Sequence, residues 1–171
     1  MMRFSIRFAA RDELYDVAVF LDECWRKEYG GIVENNFLDS LSVDTRYRRL
    51  LNRFDEKSSD FLVMTDGNKI IGAAVFGKSY TDGYLDDGEI SAIYLGHDYI
   101  GKGYGHALFT RAEEILVQKG YNNFVLDVLA SNTRAVSFYQ KHGYEKVDKR
   151  TVRLGTRDYP LTVFRKKNDS Y

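Results

Sequence analysis

Cysteine, histidine and net charge are what this chain has little of. Its 171 residues include one cysteine and three histidines, and 25 lysines and arginines balance 25 aspartates and glutamates. A lone Cys24 excludes an internal disulfide framework and a cysteine-based zinc knuckle. His97, His106 and His142 fall in separate predicted elements without ligand spacing, so no metal site is expected. A charge sum of zero gives no electrostatic footprint for nucleic acid or an anionic membrane. Two small basic clusters, Arg46–Arg48–Arg49 and Arg165–Lys166–Lys167, read as a solvated helix face and a terminal tail. No apolar run approaches the about 20 residues that span a bilayer, and Met1–Arg7 has no leader-like apolar region. The expectation is a cytoplasmic protein folding as one domain over residues 1–171. Apolar mass is sufficient, with 44% hydrophobic and 15% aromatic residues.

Hydrophobic periodicity sets the order of elements. Residues 3–8 alternate as a strand, with Phe4, Ile6 and Phe8 on one side. From Asp12 a helical stripe (Leu14, Val17, Ala18, Leu21, Cys24, Trp25) runs to Tyr29 and stops at Gly30–Gly31. A second helical region divides into Glu34–Leu41 and Val43–Phe54, with Ser42 as N-cap. Strands Asp60–Thr65 and Lys69–Phe76 flank the hairpin signal Asp66–Gly67–Asn68. A loop at Ser79–Asp87 precedes a strand at Glu89–Leu95. After Gly96–Gly105 comes an amphipathic helix (Ala107, Leu108, Ala112, Ile115, Leu116) closed by Lys119–Gly120. Phe124–Leu129 is a buried strand broken only by Asp127. Asn132 caps a helix over Thr133–His142, and residues 144–153 and 159–165 form a last antiparallel pair around Gly155. This predicts a mixed α/β sheet with helices on both faces.

The segment from Tyr99 to His106 lies between a strand and a helix. Its glycines and the helix N-terminus gather N–H donors into a cradle for phosphate. Gly103 stands where a Walker A loop needs a hydroxyl, so an NTPase is not expected. The third glycine of a dinucleotide fingerprint would fall on His106 or Leu108, and that reading fails too. Gly88 to Leu108 instead resembles the pyrophosphate-binding motif of the GNAT superfamily of N-acetyltransferases. The stretch from Leu126 to Val147, with Asn132, Ala135, Phe138, Tyr139, Gly143 and Tyr144, resembles that family's second signature, in family order and spacing. Ile100 departs from it, since the family prefers Gln or Arg there. Trp25 to Val33 is similar to a segment of one GNAT subgroup.

The resemblance implies a fold and a chemistry. The fold would be a mostly antiparallel sheet with one parallel pair splayed at the cofactor site. Acetyl-CoA would be the donor cosubstrate, held at Ile100, Gly101, Lys102, Gly103, Tyr104, Gly105 and His106, with Ile93, Tyr94 and Leu95 pairing by backbone with its pantetheine arm. Amine acetylation needs a neutral amine, a polarised thioester and a protonated thiolate; an alkylamine of pKa about 10 must lose a proton first. By resemblance Tyr139 is the proton donor to sulfur and Glu89 the base, acting through water. Each has a plainer reading, as a core aromatic and an edge carboxylate. Asn132 contacts the cofactor or only caps its helix, Lys102 faces phosphate or solvent, and Trp25 and Tyr29 line the acceptor pocket or the core. Asp82, Asp86 and Asp87 could form an acidic mouth. Activation of Cys24 is not expected. Alternatives are a longer-chain acyltransferase of the same fold, or a degenerate domain that binds CoA as a sensor. A homodimer is the base-rate expectation.

Overall fold

The computed structural model describes residues 4–169. Its N-terminal part runs β1 (Phe4–Phe8), α1 (Leu14–Tyr29), α2 (Asn35–Ser40), α3 (Val43–Asp55), β2 (Ser59–Asp66), β3 (Lys69–Lys78) and β4 (Gly88–Leu95). Then follow α4 (Tyr104–Gln118), β5 (Asn123–Leu129), α5 (Thr133–Lys141), β6 (Glu145–Leu154) and β7 (Arg157–Lys167). The strands form one seven-stranded sheet in the order β1-β2-β3-β4-β5-β7-β6. Neighbours are antiparallel except β4 and β5.

Local chemistry moved several boundaries. The first helix begins at Leu14 because Arg11–Glu13 form a 3-10 turn. Glu13 is held there by Arg7 and the Ala10 N–H, which draw its pKa down to about 2. The β2–β3 hairpin is one residue tighter than expected: Asp66 pairs with Lys69, leaving Gly67 at φ 58° and Asn68 as the loop. β7 runs through Pro160, whose missing donor faces β5 just past the end of that ladder at Leu129. Arg165–Lys166–Lys167 is thus the end of β7 and not a loose tail. There Arg165 forks onto Asp87 at 2.7 and 2.9 Å, and Lys166 meets Glu113.

Side chains alternate between two covered faces, as the strand period requires. Leu62, Met64 and Phe76 turn toward α4 and α5, packing with Leu108, Phe109, Leu116, Leu126 and Phe164. Phe61, Val63 and Val75 turn the other way, onto Leu14, Val17, Leu21 and Leu50 of α1 and α3. A third cluster joins Tyr29, Val33 and Leu38 to Leu129 of β5. Arg26 fastens α2 to α1, donating to Asp22 and to the carbonyls of Leu38 and Leu41. Arg46 is not on a solvated face. Its Nε is buried 3.7 Å from Asp22 Oδ1, without a hydrogen bond, and burial lowers its pKa.

Candidate active site

A fault in the sheet makes the site. β4 and β5 pair only at Gly88–Phe124 and Glu89–Val125, and then diverge. Beyond Glu89 the β5-facing edge of β4 carries backbone donors and acceptors with no strand partner, a ready template for an extended ligand. Ile93, Tyr94 and Leu95 stand on this edge, all partly accessible.

A second irregularity decides which way β4 aims its side chains. The β3–β4 register jumps from Val75–Ala92 to Phe76–Ile90, so Ser91 is bulged out. A bulge inverts the alternation. Ile90, Ile93 and Leu95 all pack on the α4 face, whereas Ala92 and Tyr94 face α1 and α3. Glu89, opposite in parity to Ile90, therefore shares a face with Tyr94. An unbroken strand over Glu89–Leu95, as the sequence suggests, would have placed them on opposite faces.

At the open end of the cleft, the Tyr99–His106 segment forms the expected cradle. Gly101 and Gly103 lie at φ 78° and 85°, and a Cβ on either would meet nothing within 4 Å. These glycines serve a left-handed backbone beside open space rather than a tight contact. Gly103 is the N-cap of α4, so the first-turn N–H groups, those of Gly105 and His106 among them, point out of the helix end. Lys102 is exposed beside them. His106 Nδ1 lies 2.8 Å from His142 Nε2, and His142 Nδ1 lies 2.8 Å from the Phe138 carbonyl. A carbonyl only accepts, so His142 carries its proton on Nδ1 and His106 donates to it, tying the cradle to α5. Among the described residues no group of three or more His, Cys, Asp or Glu could hold a metal ion.

Tyrosines gather at the middle of the cleft. Tyr139 packs its ring against Phe109, Tyr144 and Phe164, which makes it a core aromatic in part. Burial raises its pKa, and the groups that act on its hydroxyl (Tyr29, Asp127, Glu28) belong to the opposite face of the sheet. Burial with these neighbours keeps its hydroxyl protonated throughout the neutral range. Tyr29 and Tyr94 are hydroxyl neighbours whose pKa values are likewise raised by burial. Asn132 spends its amide at both ends: Oδ1 caps α5 through the Ala135 N–H at 3.2 Å, and Nδ2 reaches the Tyr29 hydroxyl at 3.4 Å. Trp25 stacks on Tyr29 at 4.2 Å between ring centroids, inside the third cluster.

The carboxylates differ sharply. Glu89 is buried, and its Oε2 accepts from Ser79 Oγ at 2.9 Å, the Tyr80 N–H at 2.7 Å and Thr81 Oγ1 at 3.2 Å. It anchors the loop before β4. Asp87 does not contribute to an acidic mouth, being buried against Arg165. Asp127, which the sequence shows only as the polar break in an apolar strand, faces the cleft two residues beyond the last β4–β5 pair. It reaches solvent through the cleft yet is enclosed by protein, and this burial, with the Glu89 charge next, raises its pKa. Cys24 lies under the end of β4, its thiol pushed up to about 12 by burial. A concavity of about 290 Å3 borders the cradle at His106 on the outer side of α4, and another of about 530 Å3 lies near the C-terminus of α4.

The family model for the acetyltransferase (GNAT) family matches residues 20–144, which contain the fault, the cradle and Tyr139. The chain belongs to the GNAT family. It is 29% identical over 147 residues to the Bacillus subtilis N-acetyltransferase YuaI, covering 84% of this chain and 81% of that one. It is 26% identical over 155 residues to the spermidine N(1)-acetyltransferase of Thermoplasma acidophilum, covering 86% and 91%. The crystal structure of the PaiA N-acetyltransferase of Thermoplasma acidophilum in complex with coenzyme A superposes with a TM-score of 0.79 at 25% identity, over 98% of this chain and 100% of that chain. The GNAT fold expected from the two sequence signatures, with its splayed parallel pair, is the fold found. No described helix is long and apolar enough to cross a membrane.

Proposed function

We propose that this GNAT protein transfers the acetyl group of acetyl-CoA directly to a primary amine of a cationic small molecule, with a polyamine as the first acceptor to test. The observation that carries this reading is the β4–β5 gap. Donors from a glycine cradle stand at one end, and Tyr139 is buried and protonated within electrostatic reach of Asp127 on β5. The pyrophosphate would lie on Gly101–His106 and the pantetheine along Ile93–Leu95. A polyamine suits Asp127 near the tyrosines, Glu28 being paired with Arg134, and the spermidine acetyltransferase relative supports it.

In this reading a neutral amine attacks the thioester carbon, and the tetrahedral intermediate collapses by breaking the C–S bond. Charge reaches sulfur only then, so a Tyr139 proton is worth most at that point. A carboxylate on the acceptor side must first take the ammonium proton. Release of free thiol from acetyl-CoA, followed across spermidine, spermine, amino acids, aminoglycosides and peptide N-termini, tests the proposal. Amine-dependent turnover is expected, fastest with a polyamine. Absence of turnover with every amine, in protein whose melting temperature rises with CoA, would replace it with a CoA-binding module.

A further inference from the structure

We infer that Asp127, and not Glu89, is the catalytic residue that receives the acceptor's ammonium group and takes its proton. The inference rests on the acetyl-transfer reading above and deepens it. Geometry separates the two carboxylates. Glu89 lies at the closed root of the fault, where β4 still pairs with β5. Its Oε2 is filled by three donors of the Ser79–Thr81 segment, and only a small fraction of the residue, 8%, is accessible. A carboxylate whose lone pairs already hold a loop gives up hydrogen bonds when it accepts a proton.

Asp127 has the opposite setting. Val125 is the last β5 residue paired to β4, so Asp127 is the next side chain on that face, standing where the strands have parted. Phe124, Leu126 and Val128 fill the α4 core, which leaves Asp127 directed toward the acceptor face with Tyr29 and Leu129. The residue reaches solvent although protein surrounds it, and among the described residues no hydrogen-bond donor meets its carboxylate. Four groups from four different elements act with it: Glu89 on β4, Arg150 on β6, Tyr29 on α1 and Tyr139 on α5. Arg150 acts to lower its pKa but makes no ion pair with Asp127, its hydrogen bonds going to Asp148 Oδ2 and the Asp82 carbonyl. Burial and the Glu89 charge raise its proton affinity, the direction a base requires when it must deprotonate an ammonium.

The proton balance closes. The ammonium N–H proton moves to the Asp127 carboxylate, and the freed electron pair forms the C–N bond. The C–S bond then breaks toward sulfur, which takes the Tyr139 phenolic proton; the phenolate regains one from the new amide nitrogen. Asp127 loses its proton to solvent through the cleft, so each turnover releases one proton to water.

The test compares Asp127→Asn, Asp127→Glu and Glu89→Gln over pH 6 to 10, with spermidine or the best acceptor found. Asp127→Asn should lower kcat/KM at pH 7 by about a hundredfold, with the deficit narrowing as the pH nears the acceptor's own pKa. Asp127→Glu should recover part of the loss, and Glu89→Gln should show a smaller deficit that does not vary with pH. A CoA-induced rise in melting temperature, equal in all proteins, certifies the fold and the cradle. Wild-type turnover that Asp127→Asn leaves intact, or lowers equally at every pH, would overturn the inference while acetyl transfer stands. Failure of the wild type with every amine would remove the acetyl-transfer reading itself.

Discussion

The two sides of the cleft are built from different materials. The side proposed for the cofactor offers backbone: the unpaired edge of β4 and the N–H groups around Gly101, Gly103 and the start of α4. The side proposed for the acceptor offers side chains from distant parts of the chain, with Tyr29 from α1, Asp127 from β5, Tyr139 from α5 and Arg150 from β6. Backbone recognition depends on a few glycines and a register, and tolerates most other changes. Side-chain recognition can be altered one residue at a time. A family can therefore hold its donor constant while its acceptor changes.

Substitutions should separate the two sides, and the largest effect is expected at the cradle. Gly103→Val forces a β-branched residue to φ 85°, costing on the order of 1–3 kcal/mol where no neighbour is displaced. The chain should still fold, but with the loop rearranged. Its melting temperature should no longer respond to millimolar CoA, and turnover should fall to background with every acceptor. An unaltered response to CoA would show that the cradle is not made by backbone.

The next largest, tested above, is Asp127→Asn, which should spare CoA binding. Tyr139→Phe follows. It keeps the ring that packs on Phe109 and Phe164, so stability should hold while kcat falls about tenfold, equivalent to ~1.4 kcal/mol. A donor carrying an acylated aromatic thiol, which leaves without protonation, should lose less. Equal activity of mutant and wild type on acetyl-CoA would return Tyr139 to the core alone.

The smallest effect is thermodynamic, and its sign carries the information. The folded state raises the Asp127 pKa, so between the ordinary carboxylate range and the raised value it binds more protons than the unfolded chain. Stability gained from this group therefore declines as pH rises through that window, and at pH 7 its charge weighs against the fold. Asp127→Asn should then melt no lower than wild type at neutral pH, read by calorimetry. A clear loss of stability would mark Asp127 as a structural carboxylate.

The same division governs what could be read from the sequence. The cradle and the order of elements are local: glycine spacing and hydrophobic period announce them within about twenty residues, whereas Tyr139 stands out only through the resemblance of Leu126–Val147 to the family's second signature. The bulge at Ser91 is not local, because it exists only against β3, and nothing in Glu89–Leu95 marks an extra residue. Glu89, Asp87 and Arg165 were legible as charges but not as partners, since Asp87 and Arg165 are separated by 78 residues. Asp127 did leave a signal, the single charge in an apolar run, and its meaning required knowing that β4 turns away at that depth. His106 and His142, 36 residues apart, carry no spacing that announces a contact, and only the fold brings them together.

The parting of β4 from β5 also sets a pattern in time. Amides deep in a seven-stranded sheet ordinarily exchange with solvent deuterium only when the sheet opens as a whole. The β4 amides that face β5 beyond Glu89 have no ladder to break, so in free protein they should exchange early while those paired with β3 stay dark. A ligand that completes the ladder would slow the first set and leave the second unchanged. Deuterium uptake along Ile93–Leu95 would then record occupancy residue by residue, before any acceptor has been found.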